Sequence, residues 1–469
     1  MSYQILTGNC LDHLRTEIAP GSVQCVVTSP PYWGLRDYGI PGVAWADGWH
    51  GVFGNEPTLA QYVTHTLEVF EGLGRVLRPD GVIWWNMGDT YASGGRTGAY
   101  STIPQKNIAT NGVKRPESVQ ADGNKLLIPY RVAIALQDAG WCIRQDVIWA
   151  KPSPMPESIS GWSWKRCRVK MNSSDVSMAF RGPSKVGHRP HGDSLTDDSV
   201  ATWADCPGCA KCEPCDGYVL KQGKWRPTTG HEVIFQITRG GNYFSDATAA
   251  AETAVGGSPG NKTHKGATAY ANGDEKMRTK VGLTQMCASS TRNPRSVWRF
   301  SSESYAGSHF ATFPTQLPFR CLTASTSRAG GCPTCGTQYS PVVSKDRRPT
   351  QPGENTKVHG REALEVGNRN PARHVTETVV SGYRPSCRCS PVLPPVPATI
   401  YDPFGGSGTT VQVAHHMGLH GICSELSGDY RGLAEVRILK RPKCLEPVKP
   451  PKKPRRVIHK QQRHLFPSG

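Results

Sequence analysis

Short apolar runs separated by amphipathic stretches set the outline of this chain. Tyr3–Leu6 and Cys25–Thr28 read as buried strands on either side of a helix near Leu11–Ile18. Between Pro57 and Leu77, apolar residues recur at helical spacing (Leu59, Tyr62, Val63, Leu67, Phe70, Leu73, Val76), and Arg78-Pro79-Asp80-Gly81 supplies a stop and a turn. Gly81–Met87 then reads as a buried strand, Lys125–Gly140 as another amphipathic helix, and Trp141–Ala150 as a strand running into Lys151-Pro152. His231–Thr238 predicts a further strand, and Thr399–Leu439 a last structured block. This alternation predicts an α/β fold on a doubly wound, mainly parallel sheet.

Elsewhere the pattern breaks. Residues 92–124 are rich in Gly, Ser, Thr and Asn and read as a loop, and 247–293 are again polar and irregular. The expected divisions are 1–152 and 226–326 as core, 396–440 as the last core block, 153–225 and 327–395 as insertions holding cysteine clusters, and 441–469 as a basic disordered tail.

Charge narrows the partner. The formal charge is +18, and ten Lys/Arg against Glu446 alone give residues 440–469 a net +9. The remainder is still basic, which points to nucleic acid. No stretch has the ~20 apolar residues that span a bilayer, and Met1-Ser2-Tyr3-Gln4 has neither the charge nor the apolar run of a signal peptide. Sixteen cysteines, several in close pairs, read as metal ligands in a reducing compartment, so a cytoplasmic setting without a membrane partner is expected.

The candidate chemistry begins at Ser29-Pro30-Pro31-Tyr32, directly behind a buried strand. Two prolines fix φ and remove two donors, leaving carbonyls and a hydroxyl facing outward. Such a turn suits an exocyclic amine on a flat ring. The Ser29 hydroxyl and the Pro30 carbonyl each accept one N–H, which favours a more nucleophilic nitrogen, and Tyr32 offers a ring to stack on the base. Far downstream, Asp402-Pro403-Phe404-Gly405-Gly406-Ser407-Gly408-Thr409 joins a strand to a helix start, where free N–H groups and absent Cβ atoms let a ligand approach. It has no Lys and is not a phosphate-cradling P-loop. The next strand ends in Glu425, an acidic position that commonly accepts from a ribose.

With the catalytic turn first and the F-x-G-x-G turn last, the chain resembles the circularly permuted beta class of S-adenosylmethionine-dependent DNA amino-methyltransferases. Tyr3–Tyr32, Leu77–Tyr91, Leu126–Ser158, Arg226–Asp246, Pro294–Pro314 and Ile400–Ile438 look like the family's blocks. The resemblance implies a Rossmann-like core with permuted motif order and an irregular recognition insertion. It implies Ser29, Pro30, Pro31 and Tyr32 as the target-amine site, and Asp402, Phe404, Gly405, Gly406, Ser407, Gly408 and Thr409 as the cofactor pocket, with Glu425 on the ribose. His309–Pro314 resembles the segment closing over the methionine end, and Gly8-Asn9 replaces the family's frequent Gly-Asp.

The implied reaction is in-line methyl transfer to a base rotated out of duplex DNA, in a bacterial or phage-encoded restriction-modification setting. Ser29 at the head of the turn favours cytosine N4; adenine N6 is the alternative, and RNA methylation or a catalytically silent zinc-bearing nucleic-acid-binding protein are the rivals. Cys332, Cys335, Cys387 and Cys389 look like a zinc ribbon. Cys206, Cys209, Cys212 and Cys215 recur every three residues and offer four thiolates, or three completed by Cys167 or a histidine. Zinc there is expected to be structural, holding loops that face DNA.

Overall fold

The strand Val23–Thr28 (β2) is buried at every position, and its side chains divide between two cores. Val26 joins the core on one face of the sheet, while Cys25 and Val27 join the other, the two-residue period of a strand covered on both sides. The computed structural model describes residues 2–34, 39–92, 123–154, 161–170, 203–253, 291–303, 312–349 and 374–446.

Around β2 lie Tyr3–Thr7 (β1), Leu77–Met87 (β3), Cys142–Ala150 (β4), His231–Thr238 (β5), Val297–Arg299 (β6), Thr399–Asp402 (β7) and His420–Glu425 (β8). Their order in the sheet is β1-β8-β7-β2-β3-β5-β4-β6. Five of the seven pairings are parallel, and β5 runs antiparallel to both neighbours. The sheet is thus mostly parallel, as the pattern predicts.

One face is covered by the helix Leu59–Val76 (α1), whose buried Tyr62, Val69, Phe70, Leu73 and Val76 keep the i, i+3, i+4 spacing. Thr58 caps it by accepting from the Gln61 N–H at 3.2 Å. Ile128–Asp138 (α2) adds Val132 and Leu136 to that core. On the other face, Gln316–Ser325 (α3) contributes Leu317, Cys321 and Leu322, and Thr409–His416 (α4) contributes Val413 and Ala414. Gly428–Ile438 (α5) follows β8.

The structure differs from the sequence reading at β3, which starts at Leu77 rather than Gly81. Pairing with β2 jumps from Val23↔Leu77 to Cys25↔Val82, so Pro79 lies in an irregularity where no ladder N–H is required. Arg78, whose Nε donates to Asp80 Oδ1 at 2.8 Å, holds the bend.

The chain divides into two compact units, Met1–Pro152 with His231–Gly469, and Ser153–Gly230. The described residues of the second form two small ribbons, Ser163–Arg166 with Tyr218–Lys221 and Arg168–Lys170 with Trp203–Asp205. No helix among the described residues is long and apolar enough to cross a membrane.

Candidate active site and thiolate clusters

β2 and β7 are neighbours, with Ile400 opposite Cys25 and Tyr401 opposite Val26, so the turns that follow them emerge side by side at the carboxyl edge of the sheet. The chain leaves β7 toward β8 and β2 toward β3, in opposite directions, which opens a crevice at this point. Thr28 Oγ1 donates to Asp402 Oδ1 at 2.6 Å, and the same oxygen accepts from the Phe404 N–H at 3.1 Å. Burial pushes the Asp402 carboxyl up to about 6.

Above this floor lies a cavity of about 730 Å³, within the range of about 300–1,000 Å³ typical of small-molecule sites. Ser29, Pro30, Pro31 and Tyr32 line one part, and Phe404, Gly405, Gly406, Ser407, Thr409 and Glu425 another. Asp402 and Gly408 do not line it: Asp402 is buried beneath, and Gly408 faces Ala434. Asn9, Cys10 and Phe313 also reach the cavity, whereas His309 lies outside the described residues.

Three cavity residues escaped the sequence reading. The Ser29 hydroxyl donates to Tyr32 OH at 3.0 Å, and Tyr32 OH donates to Glu232 Oε2 at 2.8 Å. Asn86 Nδ2 donates to the same Glu232 oxygen at 2.8 Å and to Tyr32 OH at 2.9 Å. Lys151 Nζ lies 2.5 Å from the other carboxylate oxygen, Oε1. Burial first, then the Glu232 charge, push the Tyr32 phenol well above its ordinary value, so it stays protonated and donates. With its own proton committed to Tyr32, Ser29 Oγ presents lone pairs. The Tyr32 ring lies against Gly88, where a Cβ would come within 2.7 Å of Tyr32 Cε2. The available signal was polar residues in or beside apolar runs: Asn86 in Trp84-Trp85-Asn86-Met87, Glu232 heading β5 and Lys151 following β4.

On the other side, the Gly406 N–H donates to Glu425 Oε2 at 2.7 Å and the Ser427 N–H to Oε1 at 2.9 Å. Each oxygen keeps a lone pair for a ligand hydroxyl. At Gly405 a Cβ would lie 2.8 Å from the Cys423 Cβ, so close packing on β8 requires glycine there. Phe404 stacks on Phe53, ring centroids 5.4 Å apart, and both line the cavity.

The thiols form two tetrads, each with all four sulfurs within 4.8 Å of one another. One is Cys332, Cys335, Cys387 and Cys389. It sits at the amino edge of the sheet: Gln24 Nε2, near the start of β2, donates to Gly336 O at 3.1 Å, and Arg78 donates to Cys335 O. That edge is opposite the Ser29 turn, so the expectation of a DNA-facing loop does not fit this tetrad. The other tetrad, in the second unit, is Cys167, Cys206, Cys209 and Cys212. Cys215 is not part of it. The Cys206 N–H donates to Cys167 O at 2.8 Å and the Cys167 N–H to Gly217 O at 2.9 Å, bringing Cys167 to the group, while Cys215 ends a separate 3₁₀ turn.

The family of N6/N4 DNA methylases matches residues 23–331. The type II methyltransferase M.XycI of Xanthomonas campestris pv. cyanopsidis is 32% identical over 324 residues, 69% of this chain and 72% of the relative. M.Cfr9I of Citrobacter freundii is 30% identical with the same coverage. Among solved structures, the PvuII cytosine-N4-specific DNA methyltransferase aligns over 94% of this chain and 87% of its own, at 14% identity and a TM-score of 0.43. The chain therefore belongs to the N6/N4 family of S-adenosylmethionine-dependent DNA methyltransferases.

Proposed function

We propose that this protein methylates the exocyclic N4 amine of cytosine in duplex DNA, as a type II modification enzyme. The observation that carries the reading is one continuous cavity lined by both the Ser29–Tyr32 turn and the Phe404–Thr409 turn. The donor and acceptor set fits the cofactor. Glu425, which keeps lone pairs beside the bonds it accepts from the Gly406 and Ser427 N–H groups, takes ribose hydroxyls, and Phe53 and Phe404 supply planar walls. S-adenosylmethionine bound there supplies a methyl group made electrophilic by its sulfonium.

The chain's own residues act on the amine. Ser29 Oγ and the Pro30 carbonyl accept its two N–H groups and turn its lone pair outward. Tyr32, Asn86 and Glu232 fix the Ser29 hydroxyl, with Lys151 neutralising Glu232. A neutral acceptor suits either amine; the basis for choosing cytosine over adenine is that Ser29 at the head of the turn resembles the motif of cytosine-N4 enzymes.

Both tetrads fit structural zinc. Four bonds of about 2.3 Å in a tetrahedron place sulfurs about 3.8 Å apart, and Cys167–Cys209 and Cys209–Cys212 are at 3.8 and 3.6 Å. The decisive experiment is methyl transfer to unmethylated duplex DNA followed by nucleoside mass analysis. N4-methylcytosine is expected; N6-methyladenine overturns the base assignment while leaving the amine chemistry intact.

A further inference from the structure

We propose that His65 is a positioning residue for the cofactor: held by two carboxylates and two indoles, it fixes the loop that carries the Phe53 wall of the cavity. The proposal rests on S-adenosylmethionine occupying that cavity, and it assigns a role to a side chain outside the cavity lining.

The loop starts as a small ribbon, Val43–Ala44 paired with His50–Gly51, and Val43, Trp45, Val52 and Phe53 line the cavity. Phe53 is the middle of three near-parallel rings. Its centroid is 4.9 Å from that of Tyr62, at 16°, and 5.4 Å from that of Phe404, at 10°. Tyr62 OH in turn donates to Pro31 O at 3.0 Å. Phe53 therefore bridges the two turns of the site, through α1 on one side and by direct stacking on the other, so its position decides how a planar ligand is seated.

A ribbon of two residues per strand does not hold itself in place. Its contacts to α1 have to do so. Those at the rim, from the Ala46 N–H to Glu68 Oε2 at 3.2 Å and from Gln61 Nε2 to Asp47 Oδ2 at 2.6 Å, are exposed. The buried ones converge on His65, which is 1% exposed. The Trp45 ring stacks on the imidazole at 4.1 Å and 19°, and the Trp49 ring at 5.3 Å and 22°. At Gly51 a Cβ would fall 2.2 Å from the Trp49 ring, so glycine is required for that indole to lie against its own ribbon.

The ring nitrogens face the two acids. His65 Nδ1 lies 3.1 Å from Glu56 Oε1, and Nε2 lies 3.3 Å from Asp47 Oδ2. A neutral imidazole has one donor and one acceptor, so it would turn a lone pair on one of these carboxylates. With both nitrogens protonated it offers an N–H to each, and the indole faces then meet a cation. The remaining carboxylate oxygens carry the tie into the loop backbone. Glu56 Oε2 accepts from the Gly54 N–H at 2.9 Å, directly after Phe53, and Asp47 Oδ1 accepts from the Trp49 N–H at 2.9 Å. Burial pushes the Glu56 carboxyl up and the imidazole contact opposes that, so the fully buried Glu56 depends on His65 to keep its charge.

The test is a double-mutant cycle of His65→Gln with Phe53→Leu in the full-length protein. S-adenosylmethionine affinity is read by calorimetry without DNA, and duplex affinity by anisotropy without cofactor. His65→Gln is expected to weaken cofactor binding about tenfold beside Phe53 but less than about twofold beside Leu at that position, because a residue that acts through Phe53 then has nothing left to position. Duplex affinity is expected to stay within about twofold throughout; a merely destabilising change would lower both affinities and cost the same in both backgrounds. Equal losses in the two backgrounds, or unchanged cofactor affinity in His65→Gln, overturn the proposal. Should His65→Gln fail to fold, Asp47→Asn replaces it in the cycle, since that side chain is 33% exposed. Its expected loss is about threefold, again confined to the background that keeps Phe53. Cofactor binding is read without turnover, so a parent that binds S-adenosylmethionine but transfers no methyl to cytosine refutes the proposed reaction while the cycle still decides this inference. A parent that binds no cofactor overturns it.

Discussion

The 2.6 Å hydrogen bond from Thr28 Oγ1 to Asp402 Oδ1 joins residues 374 positions apart and binds the two halves of the site at their roots. Thr28 is the last residue of β2, before Ser29; Asp402 is the last of β7, before the glycine turn. A second tie runs from Thr410 Oγ1 to Val27 O at 3.0 Å. These bonds, rather than sequence proximity, set the distance between the Ser29–Tyr32 and Phe404–Thr409 turns.

The Asp402 carboxyl makes that tie pH-dependent. Burial raises it to about 6, against about 3.9 in an unfolded chain. The native state therefore keeps its proton at pH values where the unfolded state has lost it, and stability falls as pH rises from about 4 to about 6. Asp402→Asn keeps an acceptor for Thr28 but cannot ionise. The parent should lose on the order of 3 kcal/mol relative to this variant across that window, with no further change above it. Urea denaturation of both proteins at pH 4, 5, 6 and 7 checks this; a pH-independent difference contradicts it.

The relay from Ser29 through Tyr32 to Glu232 predicts a separation of chemistry from cofactor binding. Ser29→Ala removes an acceptor for the amine and should lower kcat about 10²- to 10³-fold, with S-adenosylmethionine affinity within about twofold. Glu232→Gln removes the carboxylate that orients Tyr32 and should lower kcat about 10²-fold, again without loss of cofactor affinity. Calorimetric titration of cofactor alongside single-turnover transfer separates the two effects. Loss of cofactor binding in Ser29→Ala would mean that the two turns do not divide the work as argued.

The two turns were legible in the sequence because each follows a short apolar strand and each is written in residues with strong backbone preferences, proline in one and glycine in the other. Asn86, Lys151 and Glu232 were not, because they meet only through β5, which inserts antiparallel between β3 and β4. Asn86 faces Ile234 in one pairing, and Glu232 faces Trp149 in the other. Strand–helix alternation gives no sign of that insertion. The cysteine period of three was likewise ambiguous: it offers Cys215 as the fourth thiol, and Cys167 is brought in instead by the backbone hydrogen bonds from its N–H to Gly217 O and from the Cys206 N–H to its carbonyl.

Gly88 tests whether the Tyr32 ring position matters. The ring is held at its hydroxyl by Ser29, Asn86 and Glu232, so it has little freedom to retreat from a new methyl group. Gly88→Ala, which places a Cβ 2.7 Å from Cε2, should displace the hydroxyl from Glu232. The expected result is a fall in kcat of about tenfold or more with unchanged cofactor affinity; unaltered turnover would show that the relay tolerates movement of Tyr32.

The two thiolate tetrads should separate in the same way. Cys335 lies where Arg78 and Gln24 bind its loop to the start of β3 and β2, and Gln24 Oε1 also accepts from the Thr399 N–H at the start of β7, at 2.6 Å. Three strands of the catalytic sheet are therefore coupled to that loop. Cys335→Ser should release one zinc and lower the melting temperature of the core by several degrees, because removing a structural metal site withdraws binding free energy from folding. Cys209→Ser should also release one zinc, but leave the main thermal transition within about 2 °C, since the sheet and both its cores are built from other residues. Metal analysis paired with calorimetry reads both quantities. Equal destabilisation by the two variants would show that the tetrad of Cys167, Cys206, Cys209 and Cys212 supports the catalytic sheet as well.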